Sequence, residues 1–488
     1  MINWRANLPA SGAVLEGAHG TWSASVLIER VEALAQLLRA TFRPGAALAI
    51  LADNGPEWIA IDLAVHEAGM TLVPLPSFFT PPQWGHALTQ AAVDGLFCAD
   101  AALAGALGYT TAVATPGALS LYAGARLPGT VPPGVQKVTF TSGTTAEPKG
   151  VCLGSSQQWA LAQVLADALA GLNIRRHLNL LPLSVLLENI AGTYTAMLSG
   201  ARNISLPLAM TGLRGAASFD PGVCLAAIAA TRAESVILLP QMLQALVGAV
   251  RPDDPRIASL KFIAVGGART PKALIEAAQA RGFPVYEGYG LSECGSVVSL
   301  NLPGQARIGS AGKPLPNRSV RIAPDGEIEV GGGVMAGYLG QASGDHAAGQ
   351  DTWLGTGDIG HLDADGYLYI DGRKNNVLVT AYGRNVSPEW PESLLLGTGV
   401  MAQAMVVGDA RAYLAAAIVP LQADAPDAVI DAAVERVNRE LPDYARIGAW
   451  FRTAPFSEAD GTATVNGRLR RDTARLRCAA HIEQIYQS

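Results

Sequence analysis

Apolar residues recur along the chain with two periods, and their alternation predicts a mixed α/β protein. Over residues 23–40, Leu27, Val31, Leu34 and Leu38 fall at four- and three-residue steps, one face of a helix, with Ser23 or Ser25 as its N-cap. Pro44-Gly45 ends it. Residues 47–51 then read as a buried strand, 57–68 as a helix closed by Gly69, and 71–74 as the next strand, together a βαβ unit. A helix near 82–92 and a strand at 95–99 repeat the pattern, and residues 100–135, rich in Ala, Gly and Pro, predict an irregular connection.

A second α/β run begins with a helix over about 156–170 and continues through a strand at 235–239, a helix from Gln241, a strand at 261–265 and a helix from Pro271. From Gln305 the pattern changes to short β-like runs at 320–323, 327–330 and 367–370, separated by Asp325-Gly326 and Asp365-Gly366 turns. Beyond Asn375 come strand candidates at 405–407 and 415–419 and a helix near 428–440. The expected fold is therefore α/β: a large N-terminal domain, 1–374, of two α/β halves with a small β subdomain at about 305–374, then a small α+β C-terminal domain, 375–488.

At 488 residues the chain is too long for one ordinary core. Hydrophobic residues make up 49% and charged residues 16%, with a net charge of −6, which argues against a nucleic-acid partner. The opening Met1-Ile-Asn-Trp-Arg5 lacks the features of a secretory signal and no later apolar run approaches a membrane span, so a cytoplasmic protein is expected. Five scattered cysteines form no C-x-x-C pair, and the seven histidines show no ligand spacing. Neither a zinc site nor a G-x-S-x-G nucleophile elbow is present.

One stretch concentrates chemistry: Thr139-Phe-Thr-Ser-Gly-Thr-Thr-Ala-Glu-Pro-Lys149-Gly150-Val151. Thr141, Ser142, Thr144 and Thr145 offer hydroxyls, Gly143 lets backbone N–H groups approach an oxyanion, and Lys149 adds a cation, the makings of a phosphate cradle. The lysine is followed by Gly150 and a strand-like run, so this is not a Walker A loop. An ordinary polar turn has the same composition. The stretch resembles the phosphate loop T-S-G-T-T-G-x-P-K-G of the adenylate-forming superfamily of acyl-CoA synthetases, adenylation domains and luciferases, differing only at Ala146, where that family usually has glycine.

The resemblance extends along most of the chain. Tyr286-Glu-Gly-Tyr289-Gly290-Leu-Ser292-Glu293 is similar to the family's Y-G-x-T-E motif, with Ser292 for threonine. An aromatic face at Tyr289 suits a purine, and Glu293 a hard cation. Gly266, Gly267 and Ala268 resemble the adenine-contacting turn. Thr356-Gly-Asp358 resembles the T-G-D motif whose aspartate accepts both ribose hydroxyls, and Arg373 the arginine of the ribose and phosphate region. Asn375 takes the place of the domain hinge, and Gly383 that of the close approach in the pantetheine tunnel.

Leu181-Pro-Leu-Ser-Val185-Leu-Leu-Glu188 resembles an acid-site motif of long-chain acyl-CoA synthetases, with Val185 for histidine and Glu188 retained. Near the end, Arg468 aligns with the family's adenylation lysine. The resemblance implies ATP-dependent activation of a carboxylic acid, medium or long-chain, to an acyl-adenylate, with transfer to coenzyme A. Lys149, Glu293 and Arg468 are then catalytic, and Glu293 and Thr144 hold Mg²⁺. Two alternatives stay open: an acyl carrier protein as acceptor, and a degenerate protein that binds ATP or acyl-adenylate without turnover.

Overall fold

The computed structural model describes residues 4–125, 131–141, 148–214, 218–341, 353–382, 384–464 and 467–487. The two α/β runs form two large sheets. In one, the parallel strands Ser235–Leu238, Phe262–Val265 and Val285–Tyr289 lie side by side, flanked by Arg176–Leu178 and Arg202–Ile204 and extended at an antiparallel edge by Ser299–Leu300 and Lys313–Pro314. In the other, Ala47–Leu51 runs parallel to Thr71–Pro74 and Gly95–Cys98, and the hairpin Val135–Thr141 with Lys149–Gly154 extends the sheet beyond Thr71–Pro74. The β subdomain is a four-stranded antiparallel sheet, Ser319–Ile322, Glu327–Gly331, Trp353–Leu362 and Leu368–Arg373.

Local sequence explains most of these elements. The first long helix, Ala24–Thr41, is capped by Ser23, whose Oγ accepts from Val26 N at 3.3 Å, and it buries Leu27, Val31, Leu34 and Leu38 as their spacing predicts. Two regions differ from the sequence expectation. Residues 100–135 hold a short helix, Ala101–Ala106, capped by Asp100, and a hairpin, Tyr109–Val113 with Ser120–Gly124, that finishes the sheet edge beside Gly95–Cys98. The strand at 109–113 buries only its first residue fully, so it carries no apolar run. Gly124 is a close-approach position beneath the Tyr109 ring, where a Cβ would come within 2.8 Å. The hairpin Ala13–Gly17 with Gly20–Ser23, at the far edge of the first sheet, was likewise not expected.

One hydrophobic cluster runs through both α/β halves and into the β subdomain, joining residues as distant as Leu27, Phe262 and Leu368. At its centre lies a buried polar knot. Lys137 Nζ lies 3.0 Å from Asp62 Oδ1 and donates to the Asn189 side chain, while Asn189 Nδ2 and Tyr194 OH donate to Asp62 Oδ2 at 2.9 and 2.8 Å. Tyr194 also stacks on Trp159 at 4.2 Å. The knot ties the helix Pro56–Glu67 and the Val135–Thr141 strand to Leu187–Tyr194, a π-helix whose wide turn recurs at functional sites.

Beyond residue 378 the cores are separate. Val386, Leu395, Met401, Ile418, Ile430 and Val437 pack together, and a second cluster gathers Met405, Ala417, Phe456, Ala474 and Ile482. Both faces of the three-stranded sheet Met401–Val407, Leu414–Pro420 and Ile447–Arg452 are thus covered. Arg471 fastens this part internally, with Nη1 and Nη2 donating to the two Glu392 carboxylate oxygens at 2.9 and 2.5 Å.

Candidate active site

A continuous cavity of about 2180 Å³ opens at the carboxyl ends of the parallel strands of the first sheet, between the β subdomain and the C-terminal part. Ligands collect at this end of open α/β sheets. Its walls carry most of the residues picked out by motif.

Thr141 and Lys149 face each other as register partners at the mouth of the Val135–Thr141 hairpin, and both line the cavity. Ser142, Gly143, Thr144 and Thr145, which join them, lie outside the described residues, as does Gly383. Across from Lys149, the strand Val285–Tyr289 runs into a short turn, Ser292–Cys294, that ends at Gly295 in the left-handed region, φ 72°. This presents Tyr289, Ser292 and Glu293 to the cavity. Glu293 Oε1 accepts from Tyr338 OH at 2.7 Å, and Lys149 Nζ sits 5.6 Å from the centroid of the same ring. Tyr338 escaped the sequence reading. It is placed by the two-residue strand Gly337–Tyr338, which pairs with Val151 and Cys152, a contact across almost two hundred residues that no local pattern announces.

Gly290 is a close-approach position. A Cβ there would overlap the Ser296 carbonyl oxygen and stand 2.8 Å from Val297 Cα. The glycine thus lets the chain's own returning loop approach closely. Gly267, at φ 83°, needs its glycine for the turn itself, and a Cβ on Gly266 would press on the Gly288 carbonyl at 3.2 Å. The turn Gly266-Gly267-Ala268 thereby lies flat against the neighbouring strand at the cavity wall.

Asp358 stands opposite. Its Oδ2 accepts from Tyr289 OH at 2.6 Å and its Oδ1 pairs with Arg373 Nε at 2.9 Å, while Arg373 Nη1 also donates to the Thr356 carbonyl at 3.2 Å. Burial pushes the Asp358 carboxyl up, against the pull of Arg373, the Tyr289 hydroxyl and Arg468. The Tyr289 phenol is raised by its burial and by the Asp358 charge. Arg468 reaches in from the C-terminal part and donates to the Gly267 carbonyl oxygen. Desolvation deep in the cleft and the like charge of Arg373 lower its pKa, with Asp358 opposing, although water in the open cavity still reaches the guanidinium. Two arginines and one aspartate thus meet at one point, the arrangement expected where an anion is to be held.

The acid-site motif divides. Val185 lines the cavity, as do Leu187, Ala191 and Gly192 of the π-helix. Glu188 does not face it. Fully buried, it accepts from His177 Nε2 and Asn179 Nδ2 at 2.9 Å each and from the backbone N–H groups of Leu180 and Leu181 at 3.2 and 2.9 Å. All four acceptor positions of a carboxylate are filled, so its work is to fix the wall.

Asn375 lies in the short turn Lys374–Asn376. Lys374 Nζ donates to Asp325 and Glu327 of the β subdomain at 2.6 and 2.7 Å, and Asn376 Nδ2 donates to Glu389 of the C-terminal part at 2.6 Å. Among the described residues no group of three or more His, Cys, Asp or Glu side chains could hold a metal ion, and no helix is long and apolar enough to cross a membrane.

The same architecture occurs in the o-succinylbenzoate–CoA synthetase of Bacillus subtilis, solved in complex with an acyl-adenylate, which superposes with a TM-score of 0.77 at 23% identity over 97% of this chain and 98% of that one. In sequence the chain belongs to the AMP-binding enzyme family: residues 3–339 match the AMP-binding enzyme domain and residues 375–488 the AMP-binding enzyme C-terminal domain. A long-chain-fatty-acid–CoA ligase of Mycobacterium bovis is 36% identical over 247 residues, 45% of this chain and 41% of that protein. The match thus spans less than half of that relative's length. A feruloyl-CoA synthase of an Amycolatopsis species is 30% identical over 406 residues, 78% of this chain and 79% of its own.

Proposed function

We propose that the protein activates a carboxylic acid with ATP and passes the acyl group to the thiol of coenzyme A. A carboxylate oxygen attacks the α-phosphorus of ATP and pyrophosphate leaves. The thiol sulfur then attacks the acyl carbonyl and AMP leaves, with the thiol proton passing to solvent. The observation that carries this reading is the meeting of Arg468, Arg373 and Asp358 beside Gly267, which brings a cation of the C-terminal part to the nucleotide end of the cavity.

In this reading Asp358 turns from Tyr289 and Arg373 to the ribose hydroxyls, Tyr289 covers the base, and Arg468 bridges the acid carboxylate and the α-phosphate. Lys149, with Ser142, Thr144 and Thr145, neutralises the departing phosphates. Glu293 and the Thr144 hydroxyl hold the Mg²⁺ that arrives with ATP. A single carboxylate suits that ion, which keeps its waters and takes the rest of its ligands from phosphate. Residues 375–488 move as a unit about Asn375 between the two steps, bringing the Gly383 loop to the acid site. The acid is medium or long-chain: Val185, Leu187, Ala191, Ile237 and Phe262 offer an apolar wall for its tail. Five free and buried cysteines support a reducing, cytoplasmic setting.

The test is acid-dependent exchange of labelled pyrophosphate into ATP with Mg²⁺, followed by thioester formation on coenzyme A. Exchange that is lost at least a hundredfold in Arg468→Ala and kept in Arg468→Lys supports the assignment. Exchange without a coenzyme A thioester moves the acceptor to an acyl carrier protein. ATP binding without exchange for any acid of a short, long and aromatic panel leaves a protein that binds nucleotide only.

A further inference from the structure

The cavity does not end at the nucleotide. It continues along the face of the first sheet, past Gly288, Ala264 and Ile237, to His177, Ser235 and Phe262 near the amino ends of the strands. The register places these on one side of the sheet: His177 pairs with Ser235, Ser235 with Phe262, and Ile237 with Ala264. From Leu238 back to Ser235 is three strand residues, a depth of roughly 10 Å. The π-helix covers this passage, and Gly192 is its lowest point. A Cβ there would lie 2.7 Å from His177 Nε2 and closer still to Glu188 Oε1, so the helix can pass over the pair only with a glycine.

Polar groups at the foot of an apolar passage need a reason, and the hydrogen bonds supply a direction. Glu188 accepts from Asn179 Nδ2 and from the Leu180 and Leu181 N–H groups, and as a carboxylate it takes its fourth hydrogen bond from His177 Nε2 as donor. In the neutral imidazole Nδ1 is then an acceptor, and the group 2.9 Å from it is Ser235 Oγ. With the imidazole neutral, the serine proton goes to His177 Nδ1. What Ser235, 5% exposed, turns toward the cavity is a hydroxyl oxygen with lone pairs and no proton to give.

We infer that the Ser235–His177–Glu188 relay makes the floor of the acid pocket a hydrogen-bond acceptor, selecting acids whose tail ends in a donor such as an alcohol or phenol hydroxyl. The inference rests on the acid-activating reading above, and it narrows the substrate class from any medium-length tail to one with a distal hydroxyl. A methyl end leaves the Ser235 lone pairs dry and unpaired, and an ether end sets acceptor against acceptor.

The test separates recognition from chemistry. Binding of a matched series of acids, equal in length and ending in hydroxyl, methyl or methyl ether, is measured by calorimetry on the full-length protein with AMP present. The hydroxyl acid is expected to bind about tenfold more tightly than either partner, and Ser235→Ala, with its melting temperature recorded to establish that it folds, brings the three to equal affinity. Equal affinities in the native protein, no measurable binding of any acid, or a hydroxyl preference that survives in Ser235→Ala would each overturn the inference. Pyrophosphate exchange run with the same acids addresses the reaction itself. Selective binding without exchange would sink the ligase reading and leave the pocket floor as described.

Discussion

Glu287 shares the cavity wall with Arg269 and accepts from Thr270 N at 2.9 Å, yet its burial pushes the carboxyl up to about 7, with the Thr270 bond and Arg269 pulling the other way. A carboxyl whose folded pKa exceeds its unfolded value stabilises the fold below about 4.5, and that contribution is lost as pH rises through about 7. Denaturant unfolding from pH 4.5 to 8 should therefore show the native protein losing on the order of 3 kcal/mol relative to Glu287→Gln, the gap opening as pH rises. A gap that closes with rising pH would refute this. At Gly290, the overlap of any Cβ with the Ser296 carbonyl means Gly290→Ala should cost about 3 kcal/mol, read as a lower midpoint in urea. The motif residues were legible because each belongs to a short contiguous pattern. Tyr338, His177 and Ser235 were not, because the sheet brings them to Glu293 and Glu188 from remote strands.

Among the elements, the π-helix Leu187–Tyr194 depends most on distant partners. Lys137 is fully buried and serves both Asp62 on one helix and Asn189 on this one. Lys137→Met would leave the Asp62 carboxylate buried beside two remaining neutral donors, and a loss of about 3–5 kcal/mol is expected in equilibrium unfolding. Because the same helix lines the passage proposed for the acid, acid affinity should fall with it while ATP affinity changes less. The amphipathic helices and buried parallel strands could be read from the sequence, since a single face or a continuous apolar run announces them. The edge hairpin Tyr109–Val113 with Ser120–Gly124 could not, because half-exposed edge strands rich in small residues carry neither signal.

For the whole molecule, the cavity is shared: the C-terminal part, with its own cores, adds Glu389, Leu396, Gln403 and Arg468 to walls built mainly from the first 373 residues. Replacing Asn375 by proline should fix one backbone angle at the connection and hold that arrangement. Pyrophosphate exchange is expected to persist in Asn375→Pro while thioester formation falls more than tenfold. Equal loss of both would argue against motion at this residue. The order of the two α/β halves, the β subdomain and the tail followed from the change of apolar period along the sequence, whereas the seating of the tail over the cavity is a matter of surfaces that no period records.

The ties on either side of Asn375 carry one more implication. With Lys374 bound to Asp325 and Glu327, and Asn376 bound to Glu389, the connection behaves as a pin and not as a tether. A tether would let the C-terminal part wander through a cloud of orientations and return to its seat by chance. In the proposed motion about Asn375, a pin would confine the C-terminal part to an arc and keep Arg468 near its seat. On that proposal the local concentration of the guanidinium beside Gly267 would be set by the reach of the arc.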